Sequence, residues 1–396
     1  PQWTNQGDWR KRTHECGSVY NGNTYEAWFG IGCNDNNEIR ALAFENNNLV
    51  GEIPFEISFF DQLENMILKN DRELVGAIPA SLGNNLNLRQ LGLYNNGLTG
   101  PIPPEIFDLT ELVYLNFADN KLEGQIDKKV GQLTKLRKLI LDKNEIQGSI
   151  NVMQLRHLDL IFLGMSHNKF SGNITAPLRF LSELEYCYLN DNQFVGSLPP
   201  EMGLMTQLKS LTLDRNNFNT AIPKEFGQLT ELSFFTASNA GIYGELPSEV
   251  GNMVALKTLN LAGNQITKIP TTVGNLSNLQ YFYFYQNSLK GNVPQQIFDM
   301  QKLEVLFLST NQMSGGIPSN IINVKNTLRQ LYLSDNILSG PVNTAVCALT
   351  NLEVLFLDTN EFSGPFPPCI GDLVNLKQLY AFGNKFEGNI PQTIAK

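Results

Sequence analysis

Histidine is scarce in this chain: 396 residues hold three, His14, His157 and His167. None stands at a metal-ligand spacing from a cysteine or a second histidine. His167 directly precedes a recurring asparagine and reads as an exposed strand-end residue. The chain has no G-x-S-x-G elbow, no H-E-x-x-H pair and no phosphate-loop lysine. Its acidic residues are scattered, and no cleft is implied that could shift their titration. No catalytic residue, metal or cofactor is therefore expected, and the chain reads as a non-enzyme. No run of 18 apolar residues occurs, so a membrane is reached only through segments outside this chain. No signal peptide is visible from Pro1 onward, and the chain is expected to be a mature or trimmed product. No block of five like charges and no basic patch accompany the net charge of −9, which argues against a nucleic-acid partner. Five cysteines are too few for a disulfide scaffold.

What the chain does have is a period. The pattern L-x-x-L-x-L-x-x-N places its asparagine at Asn96, Asn120, Asn144, Asn168, Asn192 and Asn216, then at Asn264, Asn287, Asn311, Asn336, Asn360 and Asn384. Asn47 opens the series, Ala240 replaces the asparagine once, and a repeat with one extra residue near Asp71 fills the gap before Asn96. About fifteen repeats of 24 residues result. The tail L-x-G-x-I-P recurs at Leu49, Gly51, Ile53 and Pro54, at Leu98, Gly100, Ile102 and Pro103, and ends at Phe386, Gly388, Ile390 and Pro391.

The expected fold is an α/β solenoid with one short strand per repeat in a parallel sheet on the concave face. Each asparagine can donate and accept, so it can satisfy backbone groups of neighbouring turns. A return segment with apolar residues such as Ile106, Leu109 and Leu112 packs a helical or 3₁₀ turn on the outer side. Asp127, Asn151 and Thr175 stand where proline is expected, which puts a second short strand in doubt there. The tenth repeat, Ile266-Thr267-Lys268-Ile269-Pro270, is one residue short and predicts a local change of curvature.

With these tails the chain resembles the plant-type leucine-rich-repeat class over residues 39–391. That class includes receptor-like-kinase ectodomains and polygalacturonase-inhibiting proteins, and similar arrays occur in protist and algal surface proteins. The resemblance implies a leucine-rich-repeat superhelix with a second strand near the I-P segment. Residues 1–38 fall outside the repeat, and their W-F-G-I-G-C string, Trp28 to Cys33, resembles the W-x-G-V-x-C of plant-type amino-terminal caps. The resemblance implies a Cys16–Cys33 disulfide there and hence an oxidising compartment. The array then occupies residues 39–396 with no carboxy-terminal cap seen within it, which leaves self-association through the last repeat open. Cys347 and Cys369, 22 residues apart on outer turns, are either bridged or two free thiols. Cys187 takes a leucine position in a strand core. Two sequons, at Asn173 and Asn275, fall on turns and are candidate glycan acceptors or ordinary loop asparagines.

The outward strand positions form columns. The middle column reads Tyr283, Phe307, Tyr332, Phe356 and Tyr380 in five consecutive repeats, with Tyr281 and Tyr285 beside the first and Phe382 beside the last. Such a stripe suits a protein, peptide or glycan ligand, or else stabilises the sheet as an aromatic ladder. Glu304, Asp335, Glu353 and Asp358 border it and favour a partner with some positive charge. The first functional expectation is an extracellular or cell-surface recognition module, such as a receptor ectodomain. The alternative is a structural cell-surface or matrix protein that self-associates.

Overall fold

The computed structural model of the chain describes residues 19–20, 23–24, 30–149 and 155–395. The chain divides into two compact units, residues 1–173 with 180–194, and residues 174–179 with 195–396. Each is a stack of parallel strands, one per repeat.

In the first unit, Ile31–Cys33 pairs antiparallel with Ile39–Glu45. Parallel strands Asn65–Lys69, Gln90–Gly92, Tyr114–Asn116, Lys138–Ile140, Phe162–Gly164 and Tyr186–Tyr188 follow, each in register with its predecessor. In the second unit the same role falls to Ser210–Thr212, Phe234–Thr236, Thr258–Asn260, Tyr281–Tyr283, Val305–Phe307, Gln330–Tyr332, Val354–Phe356 and Gln378–Tyr380. Three-residue strands cannot stand alone. They persist because one apolar side chain of each, Leu91, Leu115 and Leu139 for example, is fully buried against its copies above and below.

The asparagine ladder closes each turn. Asn120 Oδ1 accepts the Leu98 N–H at 3.1 Å, and its Nδ2 donates to Leu93 O at 2.6 Å. Asn144, Asn311 and Asn360 repeat the same reach, 22 residues back for the acceptor and 27 for the donor. The residue before each ladder asparagine is left-handed even when it carries a side chain, as at Asp119, Lys143 and His167. Such a conformation costs roughly 1–2 kcal/mol. The pairing of these residues with the next turn, Lys143 N–H to Ser166 O at 2.8 Å for instance, holds them there.

The return segments are 3₁₀ turns such as Pro104–Asp108, Lys224–Gln228 and Gln295–Asp299, most of them entered from a proline in extended conformation. Where proline is missing, a side chain takes over. Asp127 accepts the Lys129 N–H at 2.8 Å, and Asn343 accepts that of Ala345 at 2.9 Å. Second strands form despite the missing prolines: Lys121–Glu123 pairs with Gly97–Pro101, and Gln147–Ser149 pairs with Lys169–Asn173. The doubt about these strands is thus corrected in all three repeats, although Asn151 itself lies outside the described residues. The preceding glycines, Gly124 and Gly172, are left-handed, yet Thr220 and Lys268 stand at that place in two repeats whose second strands also pair. At the short tenth repeat, Tyr243–Glu245 and Gln265–Lys268 pair with a register shift between Gly244 and Glu245 that passes over Thr267.

Cys347 and Cys369 are joined across successive outer turns, with Cα atoms 5.7 Å apart. Cys187 is a free, fully buried thiol that burial pushes up to about 12. The Cys16–Cys33 pairing falls outside the described residues, because Cys16 does.

Candidate functional site

The aromatic column lies wholly within the second unit. Strand register aligns Tyr283, Phe307, Tyr332, Phe356 and Tyr380 on five neighbouring strands. Alternation along each strand turns these rings to solvent while Phe282, Leu306, Leu331 and Leu355 point into the core.

The rings are not independent. Tyr285 lies 4.4 Å from Phe307, Phe307 stacks on Tyr332 at 4.4 Å, and Tyr332 meets Phe356 edge-on at 5.0 Å. Phe356 stacks on Tyr380 at 4.3 Å, and Tyr380 approaches Phe382 at 6.3 Å. Six of the eight expected residues thus form one continuous run. Tyr281 and Tyr283 stand apart as a parallel pair at 6.4 Å. Most of the rings are half-buried because neighbours cover their faces. Exposure grows toward the end of the run, to 48% at Tyr380 and 66% at Phe382. Burial raises the hydroxyl pKa of both Tyr283 and Tyr332, and Tyr332 donates to Gln330 Oε1 at 3.1 Å. Stacking thus fixes the rings, and their edges remain open.

The acidic border carries less free charge than the residue types suggest. Arg329 Nη1 lies 3.0 Å from Glu353 and its Nε 4.0 Å from Glu304, and Lys377 binds Glu353 at 2.7 Å. The Lys377 and Arg329 hydrogen bonds hold the Glu353 carboxyl below its usual range. Asp358 is buried and accepts the Ser334 hydroxyl at 2.6 Å. Arg329 and Lys377 thus offset Glu304 and Glu353, while the partner of Asp358 is a neutral hydroxyl.

A polar column missed in the sequence runs beside the strands, just after the last inward residue of each repeat. Asp214 accepts the Ser238 N–H at 2.8 Å and the hydroxyls of Ser238 and Thr236. In the first unit, Asp142 accepts the Ser166 N–H at 2.8 Å, and Ser166 donates to Asn190 at 2.6 Å. The signal was present as Asp, Ser or Asn recurring at one repeat position, 24 residues apart. Asn173 and Asn275 are both exposed. His167 is exposed and lies 3.3 Å from Asp191. Among the described residues, no group of three or more His, Cys, Asp or Glu is arranged to hold a metal ion.

The leucine rich repeat family model matches residues 254–313, and a single-repeat Leucine Rich Repeat model matches 87–109, 207–229 and 351–373. The fold is a leucine-rich-repeat solenoid. Among solved structures, this leucine-rich-repeat chain is similar to the plant peptide hormone receptor RGFR1 in complex with RGF2, at 30% identity and a TM-score of 0.81, over 93% of this chain and 66% of that one. It is also similar to the ectodomain of the Arabidopsis receptor kinase HAESA in complex with an extended IDA peptide hormone, at 31% identity and 0.83, over 90% and 59%. A leucine-rich-repeat protein of Leptospira interrogans matches at 29% identity and 0.72, over 86% and 84%. The chain thus spans 59–66% of the length of the two plant chains. A search of curated protein sequences found no match.

Proposed function

We propose that this leucine-rich-repeat chain is an extracellular recognition module of the plant-type class, binding a peptide or protein on the solvent face of its strands. The observation that carries the reading is the run of six rings from Tyr285 to Phe382, held in register yet open at its edges. Two similar plant ectodomains are described in complex with peptide ligands, which supports a peptide as the occupant. A glycan fits less well, because sugar C–H groups pack on ring faces and these faces are largely taken by neighbouring rings. Edge-exposed rings and the Tyr hydroxyls suit apolar side chains and backbone carbonyls of an extended chain.

An ectodomain role places the chain at the cell surface. No helix among the described residues is long and apolar enough to cross a membrane. The exposed sequons Asn173 and Asn275 are then glycan acceptors, and a Cys16–Cys33 disulfide fixes the amino-terminal cap, residues 1–38, onto the array. The test is selection of a displayed peptide library against the native chain, followed by binding of the enriched peptides to a Tyr283→Ala, Phe356→Ala variant. Peptides that bind the native chain and lose affinity for the variant support the reading. Equal affinity removes the stripe, and no enrichment together with concentration-dependent sedimentation favours a self-associating structural protein instead.

A further inference from the structure

A second constellation lies in the first unit, on strands Phe162–Gly164 and Tyr186–Tyr188. Phe162 approaches Tyr186 at 5.8 Å and Tyr188 at 5.2 Å, and it stands at 89° to Tyr188. Two ring walls thus meet at a right angle, with Tyr186 beside them. Gly164, in register with Tyr188, supplies no side chain between the walls. A Cβ at Gly164 would collide with Asp142 Oδ2 and come within 3.1 Å of Phe162 Cε1. The Asp142 carboxylate therefore leans from the preceding repeat over the glycine, on the side of the Phe162 ring. Its Oδ1 accepts the Ser166 N–H at 2.8 Å. Among the described residues Asp142 makes no ion pair, and the nearby His167 pairs with Asp191 instead.

The same unit holds an occupied acid–ring–cation cluster, with its ring in the acid's own column. Lys69 lies 2.9 Å from the Glu45 carboxylate and 5.6 Å from the centre of the Tyr94 ring. There an acid, a ring and an ammonium complete one another. At Gly164 the acid and the rings are present and the cation is not. A half-buried carboxylate without a direct ion-pair partner is disfavoured, and burial raises its pKa although the neighbouring His167 acts to lower it. A cation brought beside it gains Coulombic attraction together with the negative ring faces.

We propose that Asp142, Phe162, Tyr186 and Tyr188 form a subsite for one basic side chain, a guanidinium or ammonium, of a peptide or protein partner. Asp142 supplies the charge, the rings supply shape and polarisability, and Gly164 keeps the space in which they meet. The subsite is separate from the aromatic run of the second unit and stands whether or not that run binds a ligand.

The test is ligand-observed NMR titration of the whole chain with N-acetyl-arginine methylamide and N-acetyl-lysine methylamide. The neutral isostere N-acetyl-citrulline methylamide is the control. Saturable binding of a cationic probe is expected, with citrulline weaker by about tenfold or more. Asp142→Asn should weaken the cationic probes by a similar factor and leave citrulline unaffected. Gly164→Ala, which displaces the carboxylate, should do the same, and Phe356→Ala should change nothing. Should Gly164→Ala fail to fold, Asp142→Asn decides alone, because an asparagine retains the acceptor for Ser166. Absence of saturable binding, equal binding of citrulline, or unchanged affinity in Asp142→Asn overturns the proposal. Failure of the stripe reading would show only in the peptide selections.

Discussion

Asp71 Oδ1 accepts the Leu49 N–H at 3.1 Å, while its Oδ2 is buried without a hydrogen-bond partner. The first bond is the one every ladder asparagine makes with the repeat before it. The missing second bond is the donation that Asn96 makes to Leu68 O at 2.9 Å, which a carboxylate oxygen cannot supply. Asp71→Asn should therefore complete the ladder and stabilise the first unit by about 1 kcal/mol. Urea denaturation or amide exchange in repeats one to three measures this, and an unchanged or lower midpoint would show that the unpaired oxygen costs nothing.

The Asp142 carboxyl is held above its ordinary pKa by burial. The unfolded chain therefore ionises this group first as pH rises through about 3.8, and native stability is lost between that pH and the higher native pKa. Asp142→Asn should melt above the wild type at neutral pH, with the difference closing at acid pH where both are uncharged. A constant offset at all pH values would assign the effect to packing.

Phe356 takes part in two ring contacts, with Tyr332 and Tyr380. Each such pair contributes about 0.5–1.5 kcal/mol beyond area burial. The double variant Tyr283→Ala, Phe356→Ala should keep the far-UV spectrum of the parent while its melting temperature falls by a few degrees. A collapse of secondary structure would make the run part of the fold and disqualify it as a simple binding probe.

The Cys347–Cys369 bridge closes a loop of 22 residues. Chain entropy assigns such a closure about 3 kcal/mol. Because repeats contact only their neighbours, the effect of Cys347→Ser with Cys369→Ser should be local. Amide exchange should accelerate over residues 344–372 and remain unchanged in the first unit.

Asn173 ends a second strand and Asn275 ends a 3₁₀ turn, and both are exposed. Expression through a eukaryotic secretory pathway should add two glycans. Enzymatic deglycosylation of the native chain and of Asn275→Gln, followed by mass measurement, counts them. An unmodified native chain would remove both acceptors.

The repeat frame was legible because it depends on residues at fixed spacing. A burial position such as Leu115 and a ladder position such as Asn120 recur with their period, and the period alone dictates which backbone groups they meet. The second strands before Asp127 and Thr175 were less legible, because proline was read as a requirement when the backbone pairing forms without it. Two features depend on which side chains meet across repeats. The neutralisation of Glu353 by Arg329 and Lys377, and the lean of Asp142 over Gly164, join residues 22 to 24 apart with no pattern of their own. The aromatic column was legible as composition. Its division into a run of six and a separate Tyr281–Tyr283 pair follows from ring orientation, which spacing does not encode.

A ladder asparagine such as Asn144 bonds within its own turn and to the turn before it, 22 residues back through its oxygen and 27 through its nitrogen. A whole repeat can therefore be duplicated or deleted and the surviving turns will find the same partners on whichever copy now precedes them. A gene encoding this architecture can lengthen or shorten its surface one unit at a time without passing through a misfolded ancestor. It can also place an aromatic block and an acidic notch on different repeats and let selection adjust the distance between them.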